Sequence, residues 1–143
     1  MTNGKELIAQ RAISPRAYRL KNGNLLVESE LLDGFHLIHI SLEIEPKERK
    51  IIRAKAEMQK VPHDICSTVL VKVKRLKGLV IKKGILKDVS DILGGETGCV
   101  HLRNLATIVI DFAAWVLMEC AVKEGASPEE FLKGTCAAYP KGG

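Results

Sequence analysis

Residues 38–44 alternate strictly: Ile38, Ile40, Leu42 and Ile44 fall on one side, His39, Ser41 and Glu43 on the other. A period of two with one apolar side describes a strand lying half-buried on a core, so the chain must supply both a partner strand and a covering layer. The predicted strand runs from His36 to Glu45. Residues 50–58 alternate again after the turn Pro46-Lys47-Glu48-Arg49, and residues 25–32 come before, across Asp33-Gly34. Upstream, Lys21-Asn22-Gly23-Asn24 separates residues 17–20 from 25–32. Asn-Gly between apolar runs is a hairpin signal, because both residues tolerate φ > 0. Together these segments predict an antiparallel meander of about four strands with one apolar face.

The covering layer follows in the sequence. After Val61-Pro62-His63-Asp64, residues Cys66, Val69, Leu70, Val73 and Leu76 recur at helical spacing until Gly78, with Asp64 as N-cap. Gly84 precedes a short helix over 85–93. Gly94-Gly95-Glu96-Thr97-Gly98 then ends that element and opens a long apolar helix near 99–123, which stops at Gly125. Ser127-Pro128-Glu129-Glu130 reads as a capping box opening a last short helix to Lys133. Strands first and helices afterwards predict an α+β fold: one domain over 1–143, helices packed on one face of the sheet, and a tail over 137–143 expected to fray.

Composition narrows the class. Hydrophobic residues make up 46% and charged residues 27% of 143, the balance of a globular domain, while aromatics at 4% leave the core to aliphatic packing. No apolar h-region follows Met1-Thr2-Asn3-Gly4, and the apolar run 105–118 is interrupted by Asp111 and falls short of the ~20 residues a bilayer needs. The expectation is a cytoplasmic protein with no membrane partner, in which Cys66, Cys99, Cys120 and Cys136 are reduced thiols or ligands. The net charge of +5 owes much to Lys72, Lys74, Arg75, Lys77, Lys82, Lys83 and Lys87. With almost no aromatics among them for base stacking, this cluster reads as a solvated face, or as a docking face for an acidic protein, before it reads as a nucleic-acid surface. A homo-oligomer stays open.

Chemistry points to the glycine-rich turn. Cys99 and His101 stand at a helix start, where free N–H groups and the dipole favour a thiolate. His63-x-x-Cys66 opens another helix. If the two pairs converge, His63, Cys66, Cys99 and His101 form an S₂N₂ set suited to zinc, iron or an iron–sulfur cluster. Alternatively Cys99 is a nucleophile with His101 or His63 as base and Cys66 as resolving thiol. A third arrangement uses His101, Asn104, Thr107 and Asp111, which share one helix face, for acid–base work in which Asp111 or Asp33 assists the histidine; the same line also describes the solvent side of an amphipathic helix. His36 and His39, three apart on a strand, fall on opposite faces. Asp33 reads as a turn residue, Cys120 as core and Cys136 as incidental.

Tyr18-Arg19, Asn22-Gly23, Glu30-Leu31-Leu32-Asp33, the strand from His39 to Ile44, Pro62 with Cys66, Leu76-x-Gly78-Leu79-x-Ile81-x-x-Gly84 and Gly98-Cys99-Val100-His101-Leu102 occur in that order. In this the chain resembles the bacterial Domain of Unknown Function 2889 family over about residues 10–118, Gly-Cys-x-His-Leu being the most specific part. The resemblance implies Thr at the position of Val100, an aromatic residue at His63 and a longer insertion after Asp33, so His63 stands outside the shared pattern and Cys66, Cys99 and His101 within it. It implies no activity. In layout alone, a hairpin and then cysteines at helix starts, the chain is also similar to iron–sulfur scaffold proteins of the NifU and SufE type.

Overall fold

A computed structural model describes residues 3–142, so Met1, Thr2 and the last residue of the tail, Gly143, lie outside the described residues. It is an α+β fold. Strands β1 (Ala12–Ile13), β2 (Arg16–Arg19), β3 (Leu25–Leu32), β4 (Leu37–Glu45) and β5 (Lys50–Lys60) precede a 3₁₀ helix (Asp64–Leu76), α1 (Ile85–Leu93), α2 (Val100–Lys123) and α3 (Glu129–Leu132).

The sheet is antiparallel throughout, in the order β1-β3-β4-β5, with β2 also paired to β3. β1 faces Leu31 and Leu32 while β2 faces residues 25–28. They are thus two halves of one edge strand, broken at Ser14-Pro15, where proline has no N–H to give a ladder. The meander of about four strands is therefore the observed sheet with its edge split. Gly23, at φ 90°, makes the first hairpin turn, and the Asn22 side chain accepts a bond from the Asn24 N–H at 3.0 Å.

Alternation sorts the faces as the sequence implies. Leu25, Val27, Leu31, Ile38, Ile40, Leu42 and Ile44 are buried on the helix side. Burying an aliphatic side chain of this size stabilises the fold by ~1.5–3 kcal/mol. The buried Ser29 hydroxyl on that face donates to the Glu30 carbonyl at 3.2 Å. On the outer face, Arg16 reaches Glu30 at 2.6 Å and Glu28 at 3.1 Å, and His39 lies 3.3 Å from Glu28. Arg16 holds the Glu30 carboxyl below its ordinary range.

α2 packs on β3 and β4 through Leu102, Leu105, Ala106 and Val109, and the 3₁₀ helix packs on β5 and α1 through Val69, Val73 and Leu76. By length and composition α2 is long and apolar enough to cross a bilayer, a test that a core helix also passes. The segment over 64–76 is helical with 3₁₀ rather than α hydrogen bonding. Its first turn explains part of this: the Ser67 hydroxyl donates to the Asp64 carbonyl at 3.0 Å and Thr68 to Ile65 at 2.6 Å, side-chain bonds to i−3 that compete with the α ladder.

Candidate functional site

The β3–β4 turn is built by one carboxylate. Asp33 Oδ1 accepts the backbone N–H groups of Phe35 and His36, both at 2.8 Å, while the Asp33 N–H donates to the His36 carbonyl at 3.1 Å. An aspartate bonded to the backbone two and three residues on is the turn chemistry expected of Asp-Gly. The turn ends the ladder at Leu32 and Leu37, so His36 sits just before β4 instead of within it. Its ring turns to the helix side and is 8% exposed.

There it meets two groups. His36 Nδ1 is 2.9 Å from the same Asp33 Oδ1, and the His101 ring lies over the His36 ring, centroids 3.9 Å apart and planes tilted by 35°. Arg11, from the segment before β1, closes the other side of Asp33, with Nε at 2.9 Å and Nη2 at 2.8 Å from Oδ2. Backbone N–H donors, His36 and Arg11 together hold the Asp33 carboxyl well below the usual carboxylate range. An ionised Asp33 only accepts, so the proton on His36 belongs on Nδ1 and Nε2 carries the lone pair. A hollow of about 380 Å³ adjoins the group, lined by Ile8, Arg11, Asp33 and Phe35 among others.

His101 reaches this position because α2 starts where it does. Cys99 is the N-cap, with extended φ −140° and ψ 120°, and its N–H donates to the Leu93 carbonyl at 2.8 Å. The first turn of α2 is thereby tied to the last turn of α1. Burial, then the neighbouring His36 and Arg11, push the His101 pKa below the ordinary histidine value, against a smaller opposing pull from Asp33.

This shift fixes a pH dependence. A histidine lowered in the fold takes up its proton in the unfolded chain first, so its stabilising effect is complete above the unfolded value of about 6.5 and is lost as pH falls through that value toward the folded one. Asp33, also lowered, acts only near and below its unfolded value of about 4. Urea denaturation at pH 7.5 and pH 5 should therefore show weaker folding at pH 5, and His101→Gln should remove part of that difference. An identical pH response in the variant would refute the shift.

The expected Cys/His quartet is not assembled. Among the described residues, no three His, Cys, Asp or Glu side chains are placed to hold one metal ion. His63 is exposed in the loop after β5, and Cys66 stands in the first turn of a 3₁₀ helix that packs on β5. α2 instead packs on β3 and β4, and its first turn sits against His36. The 3₁₀ helix touches the turn before α2 through Lys72, whose Nζ donates to Thr97 Oγ1 at 2.7 Å, and no metal-competent group forms there among the described residues. All four cysteines are free thiols; Cys99 packs against the core, and Cys120 Sγ accepts from Arg19 at 3.2 Å. No hydrogen bond joins Cys99 to a histidine among the described residues, and positions two apart on a helix face different ways.

Asp111 is also separated from His101. Ten residues along α2 set them ~15 Å apart along the axis. Asp111 is exposed and lines a different cavity. The histidine's neighbour is His36, and the carboxylate serving the pair is Asp33. The sequence carried a signal for the first step, since Asp33-x-x-His36 spans a turn. Nothing local marked Arg11, which lies 22 residues from Asp33.

The model of a family described as a protein of unknown function, DUF2889, matches residues 9–115. The chain belongs to that family. Arg11, Asp33, His36, Cys99 and His101 all fall inside the match, whereas α3 and the residues after it lie outside. Neither the curated proteins nor the solved structures give a match, and the likeness of layout to NifU and SufE proteins finds no support.

Proposed function

We propose that this member of the DUF2889 family is a small-molecule enzyme that moves a proton with imidazole, using His36 and His101 oriented by Asp33. One observation carries the reading: an ionised carboxylate bonded to His36 Nδ1, with a second imidazole stacked on the same ring. A carboxylate on Nδ1 fixes the tautomer and turns Nε2 into the accepting nitrogen of the neutral ring. The hollow beside Arg11 and Phe35 lies on the Asp33 side of the pair, where the Arg11 N–H groups not bonded to Asp33 can meet a substrate oxygen.

Proton abstraction from 5-nitrobenzisoxazole tests this without a known substrate. The base removes the ring C–H, the N–O bond breaks, and a cyanophenolate is released and read by absorbance. The wild-type rate should exceed that of free imidazole, keep its acid limb below pH ~6.5, and fall by ~10²-fold or more in His36→Gln and His101→Gln. A rate equal to free imidazole, or one unchanged in both variants, overturns the proposal. Metal analysis of protein purified without oxygen tests a thiol–imidazole centre on Cys66, Cys99 and His101 separately.

A further inference from the structure

A second cavity, of about 700 Å³, opens between the C-terminal half of α2, α3 and the segment leading into α1. It stands apart from the histidine pair, which adjoins the start of α2. Its walls are apolar: Ile85, Ile110, Trp115, Met118 and Phe131 line it. Trp115 is 53% exposed there although it is the one tryptophan of the chain.

Its charged lining is unusual. Arg49, Lys82 and Lys83 all border the cavity. Among the described residues, none of the three has a carboxylate within ion-pair distance. Arg49 is half-buried, its guanidinium lies 5.7 Å from the centre of the Phe131 ring, and its Nε is buried with no hydrogen-bond partner. A buried donor on a cation that is left unpaired costs ~1–3 kcal/mol, more for a charged group, so such groups normally have an acceptor. The acids at the cavity, Asp111 and Glu130, are exposed at its rim and do not reach Arg49.

We propose that this cavity binds an organic monoanion with an apolar body, an aromatic or medium-chain carboxylate, its carboxylate on Arg49 and its hydrocarbon between Trp115 and Phe131. The planar guanidinium fork suits a carboxylate, and Lys82 and Lys83 add favourable charge at the mouth. The proposal does not depend on the acid–base reading of the histidine pair. α3, which supplies Phe131, falls outside the family match, so that wall of the cavity lies beyond the matched segment.

The single tryptophan makes the test direct. The full-length protein is titrated with 4-phenylbutyrate and with the matched alcohol 4-phenylbutan-1-ol, and Trp115 emission is followed. A dozen heavy atoms at ~0.3 kcal/mol each place the acid's Kd in the millimolar range or tighter. The acid should bind ~10-fold or more tightly than the alcohol, a preference that Arg49→Gln removes and Lys83→Gln reduces. Absence of a saturable change up to ~10 mM acid, or equal affinity for acid and alcohol in the wild type, overturns the proposal. So does an acid preference that persists in a folded Arg49→Gln protein; should that variant not fold, the wild-type comparison and Lys83→Gln decide the matter.

Discussion

Gly98→Ala should be among the most destabilising single-methyl additions this chain can receive, lowering stability by ~3 kcal/mol or more. A Cβ at residue 98 would stand inside van der Waals contact of the Leu93 and Gly94 carbonyl oxygens and 2.6 Å from the Leu93 carbonyl carbon. These are backbone atoms, and Leu93 is anchored in the core, so nothing can swing aside. The Leu93 carbonyl also accepts the Cys99 N–H that ties α2 to α1. Gly95 makes the contrast: φ is 78° but a Cβ there meets open space. Gly95→Ala should cost only the left-handed backbone penalty of ~1–2 kcal/mol. Urea denaturation of the two variants checks the order. A Gly98→Ala protein as stable as Gly95→Ala would mean that the turn does not bring α1 and α2 as close as described. Because this turn sets where α2 begins, the same substitution should also separate the His101 ring from His36.

Much of this architecture was legible where physics acts locally. The two-residue period of Ile38 to Ile44 fixed one face of β4, Asn22-Gly23 placed the first hairpin, and the glycines around residues 94–98 bounded α1 and α2. The 3₁₀ bonding of residues 64–76 was not legible, since Val69, Val73 and Leu76 present the same buried side in either helix type and the choice turns on hydroxyl bonds such as that of Thr68. The His101 ring stacks on His36, and of the partners expected for it Asp33 stands beside that ring whereas Cys66, His63 and Asp111 do not. Helix starts attract attention in a sequence because they carry free N–H groups, yet which starts meet depends on which strands they pack upon. Cys66 follows β5, and His101 sits over the β3–β4 turn. Asp33 is the turn residue that its place before Gly34 implies. Its Oδ1 also binds the His36 ring, and its Oδ2 is held by Arg11 from the segment just before β1.

That double role makes Asp33→Asn the sharpest probe of the histidine pair. Asparagine keeps an oxygen that can accept the Phe35 and His36 N–H bonds, so the turn and the fold should persist. What goes is the charge. Arg11 loses its ion pair, and His36 keeps an acceptor at Nδ1 but loses the negative charge beside its ring. Asp33 is also the one neighbour that raises the His101 pKa, so its removal should move His101 further down, not back toward the ordinary value. Titration of the imidazole resonances by NMR should show that downward step, with the His36 proton still on Nδ1, facing the retained amide oxygen. The benzisoxazole rate should fall by ~10-fold or more, because the imidazolium formed when His36 takes the proton loses the carboxylate that stabilises it. Asp33→Ala should lose the turn bonds as well and be less stable than Asp33→Asn. If Asp33→Asn keeps the wild-type rate while His101 moves as expected, the carboxylate is only a turn-former, and the acid–base chemistry must be assigned to the histidines alone.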